Sequence, residues 1–109
     1  MQLFKGLVLT VAFCISSGEV KLLSMTEGEQ VPMECNFTTS SGNRYRFYWY
    51  RQKPGSALQF ILRRGYSSET ANFAEERFDA TADESSGKTT LTISNLIPED
   101  SALYYCALH

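Results

Sequence analysis

The chain has 109 residues, 43% hydrophobic and 20% charged, with a formal net charge of −2 at pH 7. That is material for one globular domain rather than two, and too apolar for disorder. No basic excess addresses a phosphate backbone, so nucleic acid is not an expected partner. The one histidine, His109, ends the chain, which removes most Ser–His–Asp, Cys–His and His-ligated metal schemes.

In chain order, residues 1–5 carry one positive charge, residues 6–15 are nearly unbroken apolar, and Ser16-Ser17-Gly18 supplies small residues. A charged start, an apolar core and a small-residue exit make a secretory signal, here residues 1–18 with cleavage after Gly18. A membrane span needs about 20 apolar residues, and Glu19 and Lys21 end the run too early. Cysteine parity points the same way. Of Cys14, Cys35 and Cys106, the first leaves with the signal, and the other two are expected to pair in an oxidising compartment. No later segment is long and apolar enough to span a bilayer. The domain is therefore residues 19–109, secreted or anchored by segments outside this chain.

Beyond residue 19, apolar residues recur at every second position. Val31, Met33, Cys35 and Phe37 alternate with Gln30, Pro32, Glu34 and Asn36, the pattern of a half-buried strand. Lys53-Pro54-Gly55-Ser56 is a turn between strand segments 47–52 and 58–62. Leu91 and Ile93 alternate with Thr90, Thr92 and Ser94 after a hairpin turn at Ser85-Ser86-Gly87. Only 97–101 suggests a single helical turn. About eight short strands predict an all-β antiparallel sandwich or barrel.

Cys35, the lone Trp49, Tyr104 and Cys106 narrow the choice, because their order and spacing match an immunoglobulin domain. Tyr48-Trp49-Tyr50-Arg51-Gln52-Lys53-Pro54-Gly55 resembles the second framework of antigen-receptor variable domains. Leu91-Thr92-Ile93 and Glu99-Asp100-Ser101-Ala102-Leu103-Tyr104-Tyr105-Cys106-Ala107-Leu108 resemble the third. With Leu58-Gln59-Phe60-Ile61-Leu62, the chain is most similar to T-cell receptor alpha or delta variable segments, over its whole length. The resemblance implies an immunoglobulin-like V-type β-sandwich of Greek-key topology. Cys35 on strand B and Cys106 on strand F would join the two sheets, with Trp49 packed against the bond. Tyr104 would bond backbone near Asp100, and Arg77 would pair with Asp100 in competition with Glu75 and Glu76. One departure stands out: strand G is missing after Cys106, as in an unrearranged germline segment or a truncation. An open edge bearing Leu103 and Tyr105, an N-terminal strand without its partner, and poor solubility are then expected.

Alternation also assigns faces. With Trp49 inward, Tyr48, Tyr50 and Gln52 face out; with Tyr104 and Cys106 inward, Leu103 and Tyr105 face out. Such an apolar patch marks an association site, with ordinary scattered surface aromatics as the alternative. The resemblance implies that Tyr50, Gln52, Leu58, Phe60 and Tyr105 pack on the variable domain of a second receptor chain in a heterodimer, Gln52 bonding a matching glutamine. It also implies that loops 38–46 (Ser41, Asn43, Arg44, Tyr45) and 65–70 (Tyr66, Ser67, Ser68) face a peptide–MHC complex or other antigen. Tyr, Ser, Gly and Asn are paratope chemistry, but equally ordinary loop chemistry. Arg44, Arg46, Arg63 and Arg64 form either a positive patch or solvated charges. Asn36-Phe37-Thr38 is a glycosylation sequon, placed within a strand, where glycosylation is less efficient than on a loop.

Carboxylate pairs at Glu75–Glu76, Asp83–Glu84 and Glu99–Asp100 read as solvated turn residues, and no phosphate loop, CxxC, HExxH or GxSxG motif occurs. No enzyme, cofactor or metal site is expected. The function expected is antigen recognition in adaptive immunity, at the outer side of the plasma membrane within a receptor complex. The alternatives are an innate variable-type receptor, an antibody light-chain segment, or a secreted adhesion module.

Overall fold

A computed structural model describes residues 8–14, 20–26 and 28–109, the first two segments as strand backbone. The expected cleavage point after Gly18 lies outside the described residues. In chain order the strands are β1 (Val8–Cys14), β2 (Val20–Thr26), β3 (Val31–Asn36), β4 (Arg46–Gln52), β5 (Gln59–Gly65), β6 (Glu69–Thr70), β7 (Phe78–Asp83), β8 (Lys88–Ile93) and β9 (Leu103–Leu108). They form two sheets, in the orders β2-β1-β9-β4-β5-β6 and β3-β8-β7. The core fills the space between them.

Each strand's alternation decides what enters that core. Val31, Met33 and Cys35 of β3 are buried while Pro32, Glu34 and Asn36 are exposed. Phe47, Trp49 and Arg51 of β4 are buried between half-buried neighbours. In β5 the alternation breaks: Ile61 and Leu62 are both buried. The cause is a bulge opposite Trp49 and Tyr50, where Trp49 pairs with Leu62 but Tyr50 with Phe60. The extra residue resets the phase, so Phe60 emerges on the outer face. The turn before β5 closes with Ser56 N–H donating to Lys53 O at 3.0 Å. Gly55 sits there at φ 73°, a left-handed position suited to glycine.

The disulfide Cys35–Cys106 joins the sheets, its Cα atoms 6.7 Å apart. Trp49 is the cross-strand partner of Cys106, which sets the indole beside the bond. Its Nε1 donates to Thr89 Oγ1 at 3.1 Å, and that hydroxyl donates to Thr81 O at 2.7 Å. The relay satisfies an indole N–H in a fully buried site.

The lower end of the sandwich is closed by charge. Asp100, fully buried in the helical turn Pro98–Asp100, accepts from Arg77 Nη1 and Nη2 at 2.8 Å each. It also accepts the Ile97 backbone N–H at 3.0 Å. Arg51 brings a second guanidinium to 3.6 Å. Glu75 and Glu76 stay exposed. Tyr104, fully buried, donates its hydroxyl to Asp100 O at 2.6 Å. Burial pushes the Tyr104 phenol up to about 12. The unfolded phenol, near 10, ionises first, so its contribution to stability is intact below about pH 10 and lost as pH rises towards 12. Alkaline melts are therefore expected to lose roughly 2–3 kcal/mol over that window. Tyr104→Phe, weaker at neutral pH by about 1 kcal/mol for the lost hydrogen bond, should lack this alkaline step.

The sequence predicts an open edge on β9 for residues 19–109; in the full chain, residues 8–14 cover it. β1 lies along β9 in parallel register, Ala12 opposite Leu103 and Cys14 opposite Tyr105. β2 pairs antiparallel with β1 from Val8–Thr26 to Cys14–Val20, a pairing that exists only while residues 1–18 are attached. The physical reason is plain: an edge presents unpaired backbone groups, and the sequence VLTVAFC is rich in strand-forming residues.

Candidate functional site

Two surfaces qualify. The first is the outer face of β9, β4 and β5. Register sets Tyr50 between Tyr105 and Phe60, so one aromatic row crosses three strands. Tyr48 and Tyr50 stack with centroids 6.2 Å apart and planes 7° from parallel. Phe60 meets Tyr50 edge-on at 6.0 Å, and His109 meets Tyr48 at 5.9 Å. Leu58 and Leu103, 53% and 41% exposed, flank the row. Gln52 is engaged within the chain: its Nε2 donates to Ser56 O at 3.1 Å, and Tyr105 donates to its Oε1 at 3.4 Å.

The second surface is the end of the sandwich where the loops following β3 and β5 meet the end of β9. Arg46 and His109 exchange backbone hydrogen bonds at 3.0 and 2.9 Å, and Tyr66 N–H donates to Tyr45 O at 2.8 Å. The half-exposed Tyr66 ring lies under the guanidiniums of Arg44 at 4.4 Å and Arg46 at 4.9 Å. Ser67 Oγ accepts from Arg46 Nε and Arg63 Nε at 3.1 and 2.8 Å. Tyr45 Oη accepts the Ser40 N–H at 2.9 Å, which holds its phenol below the ordinary value. Ser41, Asn43 and Ser68 are exposed. At Gly65, φ is 110° and a Cβ would meet Tyr45 O at 2.5 Å, so close approach of the two loops requires glycine.

Three of the four arginines are paired with acids. Arg44 donates Nε and Nη2 to Glu84 at 3.0 Å each, lowering the Glu84 carboxyl below its usual range. Arg63 pairs with Glu69 and Arg64 with Asp79.

The same architecture emerges from comparison with known proteins. The immunoglobulin V-set domain model matches residues 19–109. The chain belongs to the immunoglobulin V-set family. Human T cell receptor alpha variable 39 is 38% identical to it over 100 residues, 84% of each chain. Human T cell receptor alpha variable 38-1 is 30% identical over 105 residues, 89% of this chain and 88% of its own. The human immunoglobulin iota chain is 30% identical over 111 residues, 94% and 77% respectively. These relatives support an antigen-receptor variable domain.

Within this V-set domain, three side chains escaped the sequence reading. Arg51 follows Trp49 by two, so alternation places it inside, where a guanidinium needs a buried acid; Asp100 supplies it. Glu84 accepts Arg44 and also Tyr45 N–H at 2.8 Å, tying the β7–β8 hairpin to the loop after β3. Its adjacency to Asp83 had suggested only a solvated turn. Thr89 looked like one more strand threonine, since nothing in sequence shows which hydroxyl meets an indole.

Proposed function

We propose that this V-set domain is the variable domain of a T-cell receptor alpha/delta-type chain. It pairs through the β9-β4-β5 face with the variable domain of a second receptor chain. Loops 37–45 and 66–68 face a peptide–MHC complex or other antigen, which they bind by surface complementarity without catalysis. Residues 1–18 act as a removable signal, and anchoring at the plasma membrane comes from segments outside this chain. The observation that carries the reading is the aromatic row Tyr105-Tyr50-Phe60 across three strands, flanked by exposed leucines and continued toward the loop cluster by Tyr48 and His109. Tyrosine-rich, partly exposed faces of this kind suit interface cores.

The test joins the domain to a joining segment and constant domain and co-expresses it with receptor beta or gamma chains or with antibody heavy chain. Heterodimer with a receptor chain is expected, and Tyr50→Glu should reduce it by at least about tenfold, as burying an unpaired charge would. Thr92→Glu, on the opposite sheet, should leave it unchanged. Pairing with antibody heavy chain alone, or equal loss from both substitutions, would overturn the assignment.

A further inference from the structure

We propose that Asn36 carries an N-linked oligosaccharide that stands over the β3–β8 sheet beside the antigen end and leaves the pairing face open. Alternation predicts that Asn36 lies within a strand and faces solvent. Asn36 is indeed a strand residue, the last of β3 and paired with Lys88, while Phe37 and Thr38 already belong to the following loop. Asn36 and Thr38 are exposed, whereas Cys35 is buried and Phe37 half-buried, with its ring 6.2 Å from that of Phe47. The two side chains that define the sequon thus emerge on the solvent side, and the residue between them anchors the segment to the body of the domain. Phe37 N–H donates to Gly87 O at 2.8 Å, which fixes the direction in which the sequon leaves the sheet.

The surroundings suit a sugar. Asn36 lies opposite Lys88, which pairs with Glu34 at 2.8 Å, and Thr90 is the next outward residue on β8. That polar outer face offers hydroxyl and charged groups to carbohydrate. β3 is also an edge of its sheet, where Pro32 already removes one N–H, a device that discourages strand addition. A glycan at the end of β3 shields the same edge further up. Tyr50, Phe60 and Tyr105 lie on the other sheet, so the glycan and a partner domain occupy different sides.

The chemistry is a glycosyl transfer. Asn36 Nδ2 forms a bond to the anomeric carbon of a lipid-linked oligosaccharide diphosphate, the carbon–oxygen bond to the diphosphate breaks, and the amide gives up one proton. The donor and its transferase belong to the secretory lumen, so the proposal rests on the secretory part of the function proposed above.

The full chain is expressed in mammalian cells in two forms, one with its own residues 1–18 and one with a heterologous signal in their place. Amide-specific deglycosylation in heavy-oxygen water is expected to remove one oligosaccharide and leave a labelled carboxylate at position 36. Asn36→Gln and Thr38→Ala should abolish the mass loss, and Thr38→Ser should keep it. In the receptor heterodimer, Asn36→Gln should pair as well as the parent. Lumenal entry is read separately, from oxidation of Cys35 and Cys106. A heterologous-signal chain that is oxidised yet loses no mass would overturn the proposal, as would a mass loss that survives Asn36→Gln. If only the chain with its own leader stays reduced and unmodified, the secretory reading fails while the acceptor assignment stands.

Discussion

Asp100→Ala is expected to lower the unfolding free energy by about 3–5 kcal/mol, measured by denaturant titration at neutral pH. The carboxylate is fully buried and accepts three hydrogen bonds, two from Arg77 and one from the Ile97 backbone. Its removal takes the counter-charge from Arg51, whose side chain is 8% exposed, packs 4.4 Å from the Phe73 ring and keeps the neutral Gln59 Oε1 as an acceptor at 2.9 Å. Arg77 is better placed to recover, since its side chain is 24% exposed. Most of the penalty should therefore come from the Arg51 charge and the vacated Ile97 N–H.

That attribution yields a contrast. Arg51→Met keeps much of the aliphatic volume and leaves Asp100 with its bidentate partner, so it should cost far less, about 1 kcal/mol. Asp100→Asn preserves an acceptor for Ile97 N–H but turns an amide donor towards a guanidinium, and it should be nearly as damaging as alanine. Parity between Asn and wild type would show that the backbone cap, rather than charge, closes this end of the sandwich.

How much of this was legible in sequence depends on the range of each interaction. Alternation in β3, β4 and β8 gave the buried faces directly, because a strand's side chains alternate whatever it pairs with. The Cys35–Trp49–Tyr104–Cys106 constellation gave the sandwich through family resemblance. The bulge at Ile61 was not readable: two adjacent apolar residues fit a strand buried on both faces equally well. Nor was the pairing of β1 with β9, since the same apolar run that reads as a signal also has the residues of a strand. Acid–arginine pairs such as Arg44–Glu84 need the register of several strands before they become visible. The candidate faces were therefore predictable, whereas the bonds that orient Gln52, Ser67 and Tyr66 within them were not.

Replacing Cys35 and Cys106 together by alanine is expected to remove about 4 kcal/mol, because the bond closes a loop spanning a sequence separation of 71 residues. That approaches the entire stability of many small domains, roughly 5–15 kcal/mol, so the reduced domain should be largely unfolded near body temperature. Two mechanisms compete and can be separated. If the bond acts through the unfolded chain, cutting it lets that chain expand, and the denaturant m-value should rise while the midpoint falls. If the loss is one of packing around the indole, m should stay constant. Conservative filling with Cys35→Val and Cys106→Ala should then recover much of the stability. Chain entropy is expected to dominate, because Thr89 and Thr81 still hold the Trp49 N–H when the sulfurs are gone. The bond's burial, with Cys35 0% and Cys106 8% exposed, adds a kinetic corollary. Reductant should open it slowly in buffer and quickly in denaturant, since thiolate attack needs access to a sulfur. Rapid reduction in buffer would place the bond nearer the surface than the sheets allow.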